Sequence, residues 1–408
     1  MITRRQFFAT SGSLISTAPF VPTMLCRAAQ AAQESRDDRV LVVIQLDGGN
    51  DGLNTVVPYA DDAYARARPK LHVAAMDVHK LTDSLGLHPR MRAAKELYDD
   101  GLLSIVQGVG YPNPDRSHFR SMRIWQTASF DDAAHDAYGW LGRALDRDAA
   151  PESGGDTAAI YVGEEQVPVA LWGRRSASAS LSRIDDLSLT RKTQTLGILR
   201  NAEIDDAKSD PSLRQFVTRQ VLRAHAAADQ LERQQVALSK SAAASYPDSA
   251  LAARLRIVSQ LLASGSPARV YYTVQGGYDT HAAQTFTHGQ LLFELSQALK
   301  AFLDDLARSE LGDRVVVLAF SEFGRRVAEN GSLGTDHGAA GPVFLAGKTV
   351  RPGLFGQEPR LSDLDESGDL KSSLDFRQVY ATVLENWLRV RSEKTLGGQF
   401  DTLPLVDS

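Results

Sequence analysis

The chain has 408 residues, 43% hydrophobic and 23% charged, with a net charge of −5. These proportions are those of an ordinary soluble globular protein. They give no basic face for a nucleic acid. Beyond the first 31 residues no stretch is long and apolar enough to cross a membrane.

The chain opens Met1-Ile2-Thr3-Arg4-Arg5-Gln6-Phe7-Phe8, and a mildly apolar run from Leu14 to Leu25 follows, interrupted by Pro19 and Pro22. Paired arginines before such a run read as a twin-arginine export signal, too short and polar to be a spanning helix. Ala29-Gln30-Ala31 is a small-x-small cleavage site. The expected organisation is a signal peptide over 1–31 and one α/β domain over 32–408, periplasmic or secreted and exported already folded. The only cysteine, Cys26, falls inside the signal. Bulky Leu25 before it disfavours a lipid anchor. The mature chain therefore has no disulfide, no thiolate metal site and no cysteine nucleophile.

Residues 39–46 form a continuous apolar, β-branched run, which predicts a strand buried on both faces. A helix is expected over 91–100, a second buried strand over 102–109, and a helix over 117–127 with Asp115, Arg116 and Ser117 as cap candidates. A short strand follows at 158–162. Residues 211–264 read as two long helices broken at Tyr246-Pro247-Asp248. This helical insertion could serve as a cap or as a surface for a partner protein. Strands are expected again at 269–275, 314–320 and 342–346, with helices over 287–308 and 376–388. Alternating strands and helices at both ends predict a mostly parallel central sheet sandwiched by helices.

Four polar clusters follow strands: Asp47-Gly48-Gly49-Asn50-Asp51, Asp279-Thr280-His281, Ser321-Glu322-Phe323-Gly324-Arg325 and Thr335-Asp336-His337-Gly338. Loops at the carboxyl ends of parallel strands can aim several oxygen and nitrogen ligands at one point. The glycines after Asp47 allow backbone to approach a ligand closely. Asp279 and His281, two apart in extended chain, face one side. Glu322 lies just past the strongest strand of the second half, and Arg325 beyond it can hold an oxyanion. The adjacent pair Asp336 and His337 can give one ligand and one supporting partner. Ser117, at a helix start next to His118, could be a nucleophile if a metal activates it, although an N-cap serine needs no such role. His88, Asp375 and Arg377 read as structural residues at helix starts.

Together, the twin-arginine start, Leu46-Asp47-Gly48-Gly49-Asn50-Asp51-Gly52, Arg116-Ser117-His118-Phe119, Gly277-Tyr278-Asp279-Thr280-His281, Phe320-Ser321-Glu322-Phe323-Gly324-Arg325 and Gly334-Thr335-Asp336-His337-Gly338 resemble a large bacterial family of exported proteins of unknown function. That family is grouped with the alkaline phosphatase and sulfatase superfamily. The resemblance covers almost the whole mature chain. It implies an alkaline-phosphatase-like α/β sandwich with one or two divalent ions (Zn, Mn, Ca or Mg) and a nucleophile between them. By the same resemblance, Asp47, Asp279, His281 and His337 are metal ligands, Glu322 is the acidic ligand of a second metal, and Ser117 is the nucleophile. The chain departs from the superfamily pattern at Glu322-Phe323, where Asp-His is usual, and in the short spacing from Asp279 to His281. Asp336 is the candidate replacement for the lost ligand. The expected function is a periplasmic metal-dependent hydrolase of phosphate or sulfate esters, on a small-molecule or polysaccharide substrate. The alternative is a non-catalytic exported protein that binds a polysaccharide or a partner protein in a degenerate pocket.

Overall fold

The computed structural model describes residues 38–131, 138–148, 158–176, 178–182 and 245–407. The expected export signal over 1–31 and residues 211–244 of the expected helical stretch lie outside the described residues.

The apolar runs become strands in chain order: β1 (Val40–Leu46), β2 (Val56–Val57), β3 (His79–Lys80), β4 (Gly86–Leu87), β5 (Leu103–Gly110), β6 (Ala159–Val162), β7 (Ser178–Leu181), β8 (Val270–Gln275), β9 (Val315–Ser321), β10 (Gly341–Ala346), β11 (Gly353–Gly356) and β12 (Leu374–Asp375). Nine of them form one sheet, in the order β11-β5-β10-β9-β1-β8-β6-β7 with β12 paired to β5. Only β10 runs antiparallel to its neighbours, so the sheet is mixed and mostly parallel. The short strands β2, β4 and β3 make a separate small sheet.

Side chains alternate across a strand, and both faces of this sheet are covered. Leu41 and Val43 of β1 join Val316, Leu318 and Phe320 of β9 in one core. Val40, Val42 and Ile44 join Val315, Val317 and Ala319 in the other. Helix α1 (Arg92–Asp99) packs in the second core, while α2 (His118–Thr127) and α3 (Trp140–Asp148) pack in the first. Helices α4 (Ala250–Ala263) and α5 (Gln284–Arg308) cover the second face, and α6 (Phe376–Thr382) covers the first. The described part of the expected insertion is thus α4, a covering layer whose Leu251, Leu255 and Val258 pack in the core. The expected break before it is present: 245–249 is not helical, and Ser249 caps α4 by accepting from Ala252 N. Asp375 caps α6 in a capping box with Gln378, the structural role read for it in the sequence.

Candidate metal centre

Strands β9, β1 and β8 are adjacent and parallel, so their carboxyl ends deliver Glu322, Asp47 to Gly49, and Asp279 to His281 to one edge of the sheet. The loop between β9 and β10 adds Asp336 and His337. The start of α2, reached from β5, adds His118. Close packing of these loops needs glycine. At Gly48 (φ +116°) a Cβ would come within 2.5 Å of the Asp279 amide nitrogen, and at Gly49 (φ +77°) it would strike the Phe323 ring.

Three imidazoles share one arrangement. His118 Nδ1 lies 2.8 Å from Glu322 Oε1, His337 Nδ1 lies 2.7 Å from the Arg116 carbonyl, and His281 Nδ1 lies 3.1 Å from Asp336 Oδ1. Each of these partners accepts hydrogen bonds, which assigns the proton of a neutral ring to Nδ1 and the lone pair to Nε2. The three Nε2 atoms then converge on Asp279 Oδ1, at 3.4 Å from His118, 3.1 Å from His337 and 3.0 Å from His281. His281 Nε2 and His337 Nε2 are 2.9 Å apart. Lone pairs and a carboxylate oxygen repel one another unless a proton or a cation lies among them.

The donor set fits a divalent cation. His118, Asp279 and His337 each offer an atom within 4.8 Å of the others, the one such group among the described residues. His118 Nε2 is buried and has no hydrogen-bond partner. A nitrogen left so while its ring is fixed from behind by a carboxylate is the usual condition of a metal-binding histidine.

The electrostatics follow from the same contacts. The hydrogen bond to Glu322 raises the His118 imidazole against the effect of burial. Burial lowers His337, more than its bond to the Arg116 carbonyl raises it. Burial works against the charge of Asp279, but the hydrogen bond from Arg325 and its charge hold it at about 2. Asp336 is lowered by its hydrogen bond from Asn330.

The remaining candidates occupy distinct places. Glu322 is fully buried, accepting from Gly48 N at 2.9 Å and Ser321 Oγ at 2.9 Å as well as facing His118. Asp336 stands behind His281. Asp47 is exposed and outside the three-residue group, its Oδ1 accepting from Gln45 Nε2 at 3.0 Å. Partial desolvation of the carboxyl by the surrounding loops first, and the nearby Glu322 charge second, raise Asp47 although the residue keeps an exposed surface. Ser117 is the exposed N-cap of α2, and its side chain caps nothing. Its amide donates to Asp115 Oδ1.

Arg325 differs from its sequence reading. The guanidinium is buried and donates to the carbonyls of Gly49 (2.7 Å), Thr335 (2.8 Å), Tyr278 (3.0 Å) and Gly48, and to Asp279 Oδ1 (2.7 Å). Its donors are engaged within the protein, so it ties the site loops together and has little left for a substrate oxyanion. Glycine-rich loops expose carbonyls, and those carbonyls turned the arginine inward.

The sequence reading also set His118 beside Ser117 without placing it in the site. Its signal was present, as an imidazole at a helix start after a buried strand. At the position where the superfamily pattern has a histidine, the Phe323 ring packs with its centroid 4.9 Å from both His118 and His337.

The chain belongs to a family described as "Protein of unknown function (DUF1501)", whose model matches residues 38–396. No curated protein matches it by sequence. Among solved structures it is similar to the PsFucS1 sulfatase from Pseudoalteromonas sp., at 10% identity over 92% of this chain and 72% of that one, with a TM-score of 0.39. It is also similar to the C-terminal periplasmic domain of EcEptC from Escherichia coli, at 8% identity, 92% and 94% coverage and a TM-score of 0.41. A protein in the alkaline phosphatase superfamily from Vibrio parahaemolyticus matches at 11% identity over 79% of this chain and 63% of that one, with a TM-score of 0.35. All three scores lie below 0.5, so no residue role is carried over from them. No described helix is long and apolar enough to cross a membrane.

Proposed function

We propose that the protein is an exported, metal-dependent hydrolase of phosphate or sulfate esters, with its metal held by His118, Asp279, His337 and His281. The observation that carries this reading is the convergence of three Nε2 atoms on Asp279 Oδ1. A set rich in imidazole favours zinc over calcium, magnesium and manganese, which prefer oxygen. Such an ion supplies Lewis acidity and lowers the pKa of a water or hydroxyl beside it. Glu322 and Asp336 serve behind the ligands, fixing the His118 and His281 rings. Asp47 lies near Glu322 and His118. Ser117, next in sequence to His118, is the candidate nucleophile, and Asp47 with its raised carboxyl is placed to handle a proton or a second ion. Arg325 positions Asp279. The twin-arginine route to the periplasm is part of the same reading.

A non-catalytic binding protein is the second reading. Phe323 favours it, because an apolar ring packs against the imidazoles where the resemblance expects a ligand. Elemental analysis of protein purified without chelator, wild type beside His337→Ala, separates the two, followed by a screen of phosphate and sulfate esters. About one or two equivalents of metal in the wild type, lost in the variant, with ester turnover, supports the hydrolase. A folded protein that takes up no metal and turns over no ester supports the binder.

A further inference from the structure

Beside the metal centre lies an open groove of about 540 Å³. Its floor includes buried Gln284 and Gly289 from the first turns of α5, and its rim carries exposed Lys70, Arg90 and Phe286. Gln284 joins the groove to the centre. Its Oε1 accepts from the hydroxyls of Thr280 (3.1 Å) and Thr335 (2.7 Å), the residues that flank Asp279, His281 and Asp336 in sequence.

The rim is set in advance. The Arg90 guanidinium lies over the Phe293 ring at 4.7 Å and donates to Gln290 Oε1 at 2.9 Å. At Gly289 a Cβ would come within 3.2 Å of His88 Cε1 and 3.5 Å of Arg90 Cγ, so the missing side chain lets the loop carrying both residues rest against α5. His88 Nδ1 accepts from Arg90 N at 3.1 Å, which leaves its Nε2 as a donor. Two cations face a single lining carboxylate, Asp77. Phe286 is 80% exposed. Leaving such a ring in water forgoes the gain of burying it, and a flat face left open can stack on a flat ligand.

We propose that this groove binds an anionic saccharide unit of the substrate. A sugar ring offers an apolar face to Phe286 and hydroxyls at its edge to the polar lining. Its sulfate, phosphate or carboxylate meets Lys70 and Arg90 by charge-assisted hydrogen bonds. An acyl chain would call for an unbroken apolar lining, which the cations and the polar floor deny. The role as a substrate subsite rests on the hydrolase reading, but the binding itself needs no metal.

The test is calorimetric titration at low salt with a sulfated tetrasaccharide and its unsulfated counterpart. The proteins are the wild type, Phe286→Ala and the double variant Lys70→Glu/Arg90→Glu, each checked for fold by circular dichroism and titrated with chelator present. The sulfated probe binds the wild type with chelator present. The double variant loses about ten-fold or more, as removal of two charge-assisted contacts requires. Phe286→Ala loses about five-fold, and the unsulfated probe binds more weakly than the sulfated one. No binding by the wild type overturns the proposal, as does equal binding by wild type and both groove variants. Saccharide binding by a wild type that never takes up metal leaves the groove standing and removes the hydrolase.

Discussion

His281 Nε2 and His337 Nε2 lie 2.9 Å apart, and each ring is held from behind at Nδ1, by Asp336 and by the Arg116 carbonyl respectively. Two nitrogens so fixed repel each other until something positive joins them. Adding zinc to chelated protein should therefore raise its melting temperature. At about 100 times the dissociation constant the stabilisation is about 2.7 kcal/mol. In Asp279→Ala and His337→Ala the rise should vanish, and a rise of wild-type size in either would remove that residue from the ligand set.

Glu322 holds His118 from behind, and its other contacts are the Gly48 amide and the Ser321 hydroxyl. Glu322→Gln keeps the shape and loses the charge that makes the imidazole a stronger donor. Metal affinity should fall about 10- to 100-fold, with the fold retained. Competition with a chromogenic chelator measures it, and an unchanged affinity would leave Glu322 with a purely structural role.

Arg68 and Asp51 form an ion pair with both side chains fully buried, Nη1 to Oδ2 at 2.7 Å. Arg68 also donates to the carbonyls of Val327 and Arg326, so it pins the β9–β10 loop to the segment after β1. Arg68→Ala strands a buried carboxylate and should cost about 3–5 kcal/mol in urea denaturation. A loss below about 1 kcal/mol would show that water reaches Asp51.

Burial holds His288 at about 3 and His88 at about 4. Both folded values lie below the ordinary 6.5. As pH falls below about 6.5 the unfolded chain takes up protons that the folded chain refuses. Stability should therefore be complete above about pH 6.5 and fall steadily toward pH 4, by on the order of a few kcal/mol. Asp51, which Arg68 holds below its ordinary value against burial, adds to the loss at the acid end. Urea midpoints between about pH 7.5 and 4.5, with chelator present to exclude metal release, give the slope. His288→Gln should flatten it, and an unchanged slope would assign the acid loss to other groups.

Much of this architecture is legible in the sequence, because β1 and β9 are unbroken apolar runs, and a run so short and so apolar is stable in a sheet only where helices cover both of its faces. The grouping of the clusters at one sheet edge follows from parallel strands ending in loops. What is not legible is tertiary. The pairing of His118 with Glu322 depends on how α2 docks after β5, and neither residue has a local signature for it. The inward turn of Arg325 depends on carbonyls from two other loops and from the far end of its own. The covering role of α4 was hidden by a composition, rich in alanine and leucine, that suits an exposed helical pair as well as a packed one.

The inward turn of Arg325 has a bearing on redesign. One side chain fastens the backbone at Gly48 and Gly49, at Tyr278 and at Thr335, so these three loops form a single cassette. A transplanted loop would have to bring a carbonyl to the same point in space. If the groove takes the proposed saccharide, changes of specificity are easier to make on its rim at Lys70, Arg90 and Phe286, which none of those bonds touches.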